Sequence, residues 1–156
     1  MAQKESAGLL LFRRRASGLE VLLAHPGGPF WASREDGAWT IPKGGIHPGE
    51  DLLATACREF VEETGFEPSG PFVPLGRITQ RSGKVVHAWA FEGDCDPAGL
   101  RSAMTTTEWP PRSGKLIDIP EIDRLGFFDL GAARRLINVA QITFLDRLVT
   151  QLTRNK

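Results

Sequence analysis

The sequence predicts an α/β fold in which a mixed β-sheet carries helices packed on it. Three observations point there. Short apolar runs bounded by turn residues occur in both halves of the chain. A long segment without Gly or Pro, Asp51 to Thr64, lies between them, and helical periodicity returns near the C-terminal end. Strands, a helix, more strands and terminal helices suit a layered arrangement of sheet and helix. The 156 residues suffice for one domain with its own core and fall short of the length at which two are expected. We therefore take residues 1–156 as a single domain.

The elements follow in order. Ser6 to Arg13 and Leu19 to Ala24 read as a hairpin of two strands about the turn residues Ser17-Gly18. His25-Pro26-Gly27-Gly28-Pro29 and Ser33-Arg34-Glu35-Asp36-Gly37 read as loops, with Phe30-Trp31 between them. Ala38 to Ile41 reads as a short strand entering a loop rich in Gly and Pro, Pro42 to Gly49. Asp51 can cap a helix by accepting free N–H groups of the first turn, and Gly65 stands where a left-handed C-cap is wanted. The helix between them spans about 13 residues, or roughly 20 Å. Leu52, Leu53, Ala56, Cys57 and Phe60 give it an apolar face that should pack on the sheet.

Phe72 to Gln80 and Lys84 to Glu92 form a second expected hairpin about Arg81-Ser82-Gly83. Gly93 to Gly114, polar and with Pro97, Pro110 and Pro111, reads as a long loop, which in a compact domain is often functional. A last strand is expected near Leu125 to Phe128, followed by helical stretches at Leu130 to Leu136 and Ile142 to Leu152.

Composition excludes some function classes. Lys plus Arg and Asp plus Glu both count 19, so no global basic field exists to hold DNA or a long RNA by its phosphates. A small molecule is the expected partner. The N-terminal stretch Met1 to Ala7 carries charge and shows no cleavable-leader pattern, and no long apolar segment predicts a membrane span. Cys57 and Cys95 lack metal-type spacing and read as reduced thiols, which predicts a cytoplasmic protein.

The chemistry is concentrated in one stretch. Gly44, Glu50, Arg58, Glu59, Glu62, Glu63 and Gly65 stand in the order Gly-x5-Glu-x7-Arg-Glu-U-x-Glu-Glu-x-Gly-U, where U is bulky and apolar. Residues three and four apart share a helix face, so Glu59, Glu62 and Glu63 are expected to present one carboxylate cluster. Like charges that close repel, and a hard divalent cation such as Mg²⁺, which prefers oxygen ligands, offsets the repulsion. Arg58 can orient a carboxylate through its planar fork. Gly44, Gly45 and Gly49 permit close approach of backbone to a metal or a phosphate. Three glutamates at this spacing alone read as a solvated helix face. The four further residues at their offsets overturn that reading, since a chance match of the whole pattern is on the order of one in 10⁸ per start position.

This pattern resembles the signature of the Nudix hydrolases, with Phe60 and Phe66 at positions where the family usually has aliphatic residues. The resemblance implies an α/β/α sandwich, and hydrolysis of a nucleoside diphosphate linked to another group by metal-activated water, with Mg²⁺ or Mn²⁺. It implies Glu59 and Glu63 as principal metal ligands, Glu62 as a further ligand or base, and the Gly44 carbonyl as a backbone ligand, with Arg58 and Glu50 supporting them. The general base is either a motif glutamate or one on a later loop, for which Glu108 is the candidate. It also suggests a homodimer.

Base recognition in such a site would use aromatic stacking. Trp39 and Trp89 sit inside apolar runs and read as core, whereas Trp31 and Trp109, in loops, are the candidate platforms. Arg34, Arg81, Lys84, Arg112 and Lys115 could hold phosphates, and Lys43 is the best placed because it leads into the motif. Trp39-Thr40-Ile41-Pro42-Lys43-Gly44 is similar to the Trp-x-Pro-Pro-Lys-Gly segment of the diadenosine polyphosphate hydrolases, with Ile41 in place of the first Pro. His25, His47 and His87 are too scattered for a metal site and read as satisfied or surface residues. The expected function is a Mg²⁺-dependent pyrophosphohydrolase acting on a dinucleoside polyphosphate, or on a nucleoside triphosphate or nucleotide sugar. An RNA 5′-end pyrophosphohydrolase and a nucleotide-sensing module without turnover are the alternatives.

Overall fold

The computed structural model describes residues 4–154. The expectation of a leader-free N-terminus falls partly on Met1 to Gln3, which lie outside the described residues. β1 (Glu5–Arg15) and β2 (Gly18–Pro26) form the first hairpin, with Gly18 in the positive-φ conformation at the turn (φ 132°). β1 also runs parallel to β5 (Val85–Glu92), in register from Glu5 opposite Val85 to Phe12 opposite Glu92. β4 (Val73–Thr79) pairs with β5, and β8 (Ile122–Asp129) with β2, giving the order β4-β5-β1-β2-β8. One parallel pair among antiparallel ones makes the sheet mixed.

Helices cover both faces. Leu9 and Leu11 of β1 pack with Ala56 and Phe60 of α1 (Leu52–Thr64) on one side. Leu10 and Phe12 pack on the other with α2 (Leu130–Leu136) and α3 (Ile142–Arg154), through Ala133, Leu136, Phe144 and Leu148. A strand covered on both faces must be apolar at successive positions, which is why Ala7 to Phe12 shows no polar alternation. Among the described residues no helix is long and apolar enough to cross a membrane.

The chain from Trp39 to Gly45 departs from expectation. Ala38 to Ile41 forms no strand but two isolated bridges, Thr40 to Ala24 and Trp39 to Ile137. The strand is β3 (Lys43–Gly45), where a loop is expected, paired with Ser6 to Gly8. Local propensity disfavours strand for two glycines, but β1 and β2 splay at this end and a third chain fills the gap. Gly8 permits it, because a Cβ there would overlap the Pro42 carbonyl.

Gly93 to Gly114 is likewise not one long loop. It holds a 3-10 turn at Pro97–Gly99 and β6 (Met104–Glu108), which pairs with β7 (Leu116–Pro120) in a separate hairpin. Met104, Thr105 and Thr106 are exposed, so the strand lacks the apolar alternation that signals one. β2 also runs past Ala24 to include His25, whose ring is fully buried, with a register shift before Pro26.

Candidate functional site

α1 begins and ends as its caps dictate. Asp51 accepts from Ala54 N at 3.1 Å, and Gly65 (φ 83°) donates to Val61 O. The helix aims Glu59 and Glu63 inward, where both are 8% exposed. Glu62 does not join them. At about 100° per residue it sits to one flank, its side chain 45% exposed and its Oε2 accepting from Arg58 at 3.1 Å. The place beside Glu59 and Glu63 is taken by Glu121, and ligand oxygens of these three lie within 4.8 Å of one another.

Glu121 comes from the junction of β7 and β8 and is held through its backbone. Arg101 N and Ala103 N donate to the Thr64 and Glu62 carbonyls, at 2.9 and 2.8 Å, at the end of α1. These are carbonyls that a helix end leaves without internal partners. Ala103 O in turn accepts from Glu121 N at 2.9 Å, Ser102 Oγ from Ile122 N at 2.9 Å, and Gly27 N donates to Glu121 O at 3.0 Å. The helix end thus fixes the third carboxylate. Its sequence signal is weak: Glu121 is one of two carboxylates, with Asp118, in the run Leu116 to Ile122 beside strand isoleucines, a stretch for which the sequence offers no strand expectation.

Glu108, the candidate base, lies outside this cluster. Its two oxygens accept from Arg112 N at 2.8 Å and Gly114 N at 3.1 Å, closing the tip of its own hairpin. Arg58 is also committed internally: it donates to Glu50 twice, and to Glu59, Glu62 and Gly45 O, at 2.7 to 3.1 Å. Glu50 further accepts from His47 N and Thr55 Oγ1. The Arg58 hydrogen bonds, followed by these two, hold Glu50 well below the usual carboxylate range.

The buried pair behaves oppositely. Burial, with repulsion from Glu59 and Glu121, pushes the Glu63 carboxyl up to about 8, against the pull of Lys43 and its N–H, which Glu63 accepts at 3.1 Å. Glu59 is raised chiefly by burial as well, with Glu62 and Glu121 adding to it and Arg58 opposing. The half-buried Lys43 is lowered by burial and by its neighbour Lys84, while Glu63 and Glu59 oppose the shift. β3 lays its backbone directly on the carboxylates, and Gly44 leaves no Cβ between them. Gly45 opens onto free space.

Trp31 and Trp109 line one cleft of about 190 Å³, with Phe30, Thr107 and Ile119. Both are half-buried, and the Phe30 and Trp31 rings meet edge to face at 4.9 Å. The cleft adjoins the β7–β8 junction through Gly27, whose N–H donates to the Glu121 carbonyl, and through Ile119, two residues before Glu121. Larger surface grooves of about 530 and 770 Å³ lie elsewhere and contain none of the three carboxylates. Trp39 is buried, and Trp89 packs against the α1-side core. Arg34 folds back on the Phe30 ring at 4.4 Å, while Arg112 and Lys115 are exposed at the hairpin tip.

The family model of the NUDIX domain matches residues 2–136. The chain belongs to this family. A Nudix fold is also what solved structures resemble: the Caenorhabditis elegans Ap4A hydrolase in a binary complex superposes with a TM-score of 0.67 at 21% identity, over 95% of this chain and 98% of that one. The bis(5′-nucleosyl)-tetraphosphatase [asymmetrical] of Mus musculus is 43% identical over 99 residues, 56% of this chain and 63% of that protein. The RNA pyrophosphohydrolase of Rhizobium meliloti (strain 1021) is 43% identical over 97 residues, 47% of this chain and 58% of that protein. The matched stretch thus spans less than two thirds of either curated Nudix relative.

Proposed function

We propose that this Nudix chain is a divalent-cation-dependent pyrophosphohydrolase that cleaves the diphosphate bridge of a nucleoside diphosphate linked to another group, with a dinucleoside polyphosphate as leading substrate. One observation carries the reading: two carboxylates of α1 and a third from the β7–β8 junction converge near an aromatic cleft. Two of them are buried, and the all-oxygen donor set of the three suits Mg²⁺ or Mn²⁺. Glu59, Glu63 and Glu121, with the Gly44 carbonyl, would hold it. When bound, the cation supplies activation of the attacking water and offsets charge on the phosphate oxygens.

The chain's own residues do the rest. Lys43 and Lys84 attract and align the phosphates, and the open backbone at Gly45 leaves their path free. Trp31 and Trp109 hold a base by stacking. Arg58 keeps Glu59 and Glu62 in place, and the half-exposed Glu62 takes the proton of the attacking water as the phosphorus–oxygen bond breaks. The protein would act in the cytoplasm, in keeping with the free thiols of Cys57 and Cys95, and as a homodimer, which sedimentation equilibrium tests.

A triphosphorylated RNA 5′ end is the second reading, favoured by the similarity to the Rhizobium meliloti protein. The deciding experiment measures phosphate and pyrophosphate release with Mg²⁺ on dinucleoside polyphosphates, nucleoside triphosphates, ADP-ribose, nucleotide sugars and triphosphorylated RNA. Wild type is run beside Glu63→Gln. Turnover of dinucleoside polyphosphates that falls on the order of 10²–10³ in the variant supports the enzyme. Binding without turnover by wild type makes the chain a nucleotide sensor.

A further inference from the structure

His25 ends β2 with its ring fully buried. Both ring nitrogens meet acceptors: Nδ1 lies 2.8 Å from Asp123 Oδ1, and Nε2 lies 2.7 Å from the Arg34 carbonyl oxygen. A carbonyl oxygen only accepts, so Nε2 carries a hydrogen. Nδ1 faces the Asp123 carboxyl within hydrogen-bond distance. Trp39 meets the ring edge to face at 5.2 Å. Glu35 accepts from Trp39 Nε1 and from Arg124, whose guanidinium lies over the Trp39 ring.

The two partners of the ring stand on different elements beside the aromatic cleft. Arg34 closes the turn that presents Phe30 and Trp31, while Asp123 follows Glu121 by two residues on β8. From Gly28 to Arg34 the turn's other hydrogen bonds, among the described residues, are internal. They are Trp31 N to Gly28 O, Ala32 N to Pro29 O, Arg34 N to Trp31 O and Arg34 Nε to Phe30 O. Between Gly28 and Arg34, His25 therefore supplies the hydrogen bond that links the turn to the sheet, among the described residues.

We propose that His25 is a positioning residue of the cleft: hydrogen-bonded through both ring nitrogens, it clamps the turn carrying Phe30 and Trp31 to the strand that begins beside Glu121. Its effect on substrate rests on the pyrophosphohydrolase reading. Its effect on the turn does not.

The test uses the full chain. In His25→Gln, amide exchange at Trp31 and Arg34 should rise about tenfold while α1 holds its protection. KM for a dinucleoside polyphosphate should rise about tenfold with kcat within about twofold. Exchange raised throughout α1 with kcat lowered at unchanged KM marks a general structural role and overturns the proposal. Asp123→Asn, a milder change at the partly exposed end of the clamp, carries the same expectations and decides the matter if His25→Gln does not fold. Raised exchange in the turn without turnover of any nucleotide by wild type leaves the clamp standing and rejects the enzyme reading. Normal turnover with exchange and KM unchanged rejects the clamp alone.

Discussion

The Glu59 carboxylate rests against the Gly44 backbone in the volume that any Cβ at position 44 would occupy. Gly44→Ala must therefore displace Glu59, and Mg²⁺ or Mn²⁺ affinity should fall by about 10–100-fold, as for other supports of a metal ligand. Gly45→Ala, whose Cβ meets nothing within 4 Å, should bind as wild type does. Calorimetric metal titration of both variants makes the comparison, and equal losses would refute the role given to Gly44.

Glu121 and Glu108 offer a second contrast. Glu121→Gln removes a charge from the three-carboxylate cluster, so turnover should drop on the order of 10²–10³. Glu108→Gln disturbs only the hydrogen bonds at an exposed hairpin tip and should cost about 1 kcal/mol or less of stability, with kcat nearly unchanged. Kinetics of the two variants side by side would reverse this ranking if Glu108 were the base.

The raised Glu63 carboxyl sets a pH dependence whose sign can be worked out. Folded, it titrates near 8; unfolded, near its ordinary value of 4.5. Between these values the folded chain binds the extra proton, so the metal-free protein should lose stability as pH rises from about 4.5 to about 8. Mg²⁺ binds the ionised form, and its stabilisation should grow across the same window. Thermal melts with chelator and with Mg²⁺ test this, and Glu63→Gln should flatten the slope seen with chelator.

Phe60 is 1% exposed and meets Phe91 edge to face at 5.3 Å, about one turn before Glu63 on α1. Phe60→Ala should cost about 3–5 kcal/mol by leaving a cavity under the motif helix. Urea denaturation measures it, and a loss below about 1 kcal/mol would mean that α1 is not anchored through this ring.

Much of the site was legible because it is local. Asp51, Gly65 and the absence of Gly or Pro between them determine a helix from neighbouring residues alone, and the spacing of Arg58, Glu59 and Glu63 then places their side chains by helix geometry. The two hairpins of the main sheet and the layered architecture were legible for the same reason, as alternating apolar runs with turn residues between them. What the sequence could not determine depends on partners distant along the chain. β3 exists only because β1 and β2 splay beside it. Glu121 reaches Glu59 and Glu63 only because the end of α1 binds the segment at Arg101 to Ala103. Trp31 and Trp109 share a cleft only once the β6–β7 hairpin folds against the Gly27 turn. Glu62 stands on the flank of α1 beside the buried pair, and Glu108 closes its own hairpin tip, so neither joins the three-carboxylate cluster. Short-range geometry is written in residue spacing, but convergence of remote segments is decided by backbone hydrogen bonds and packing that exist only in the folded chain.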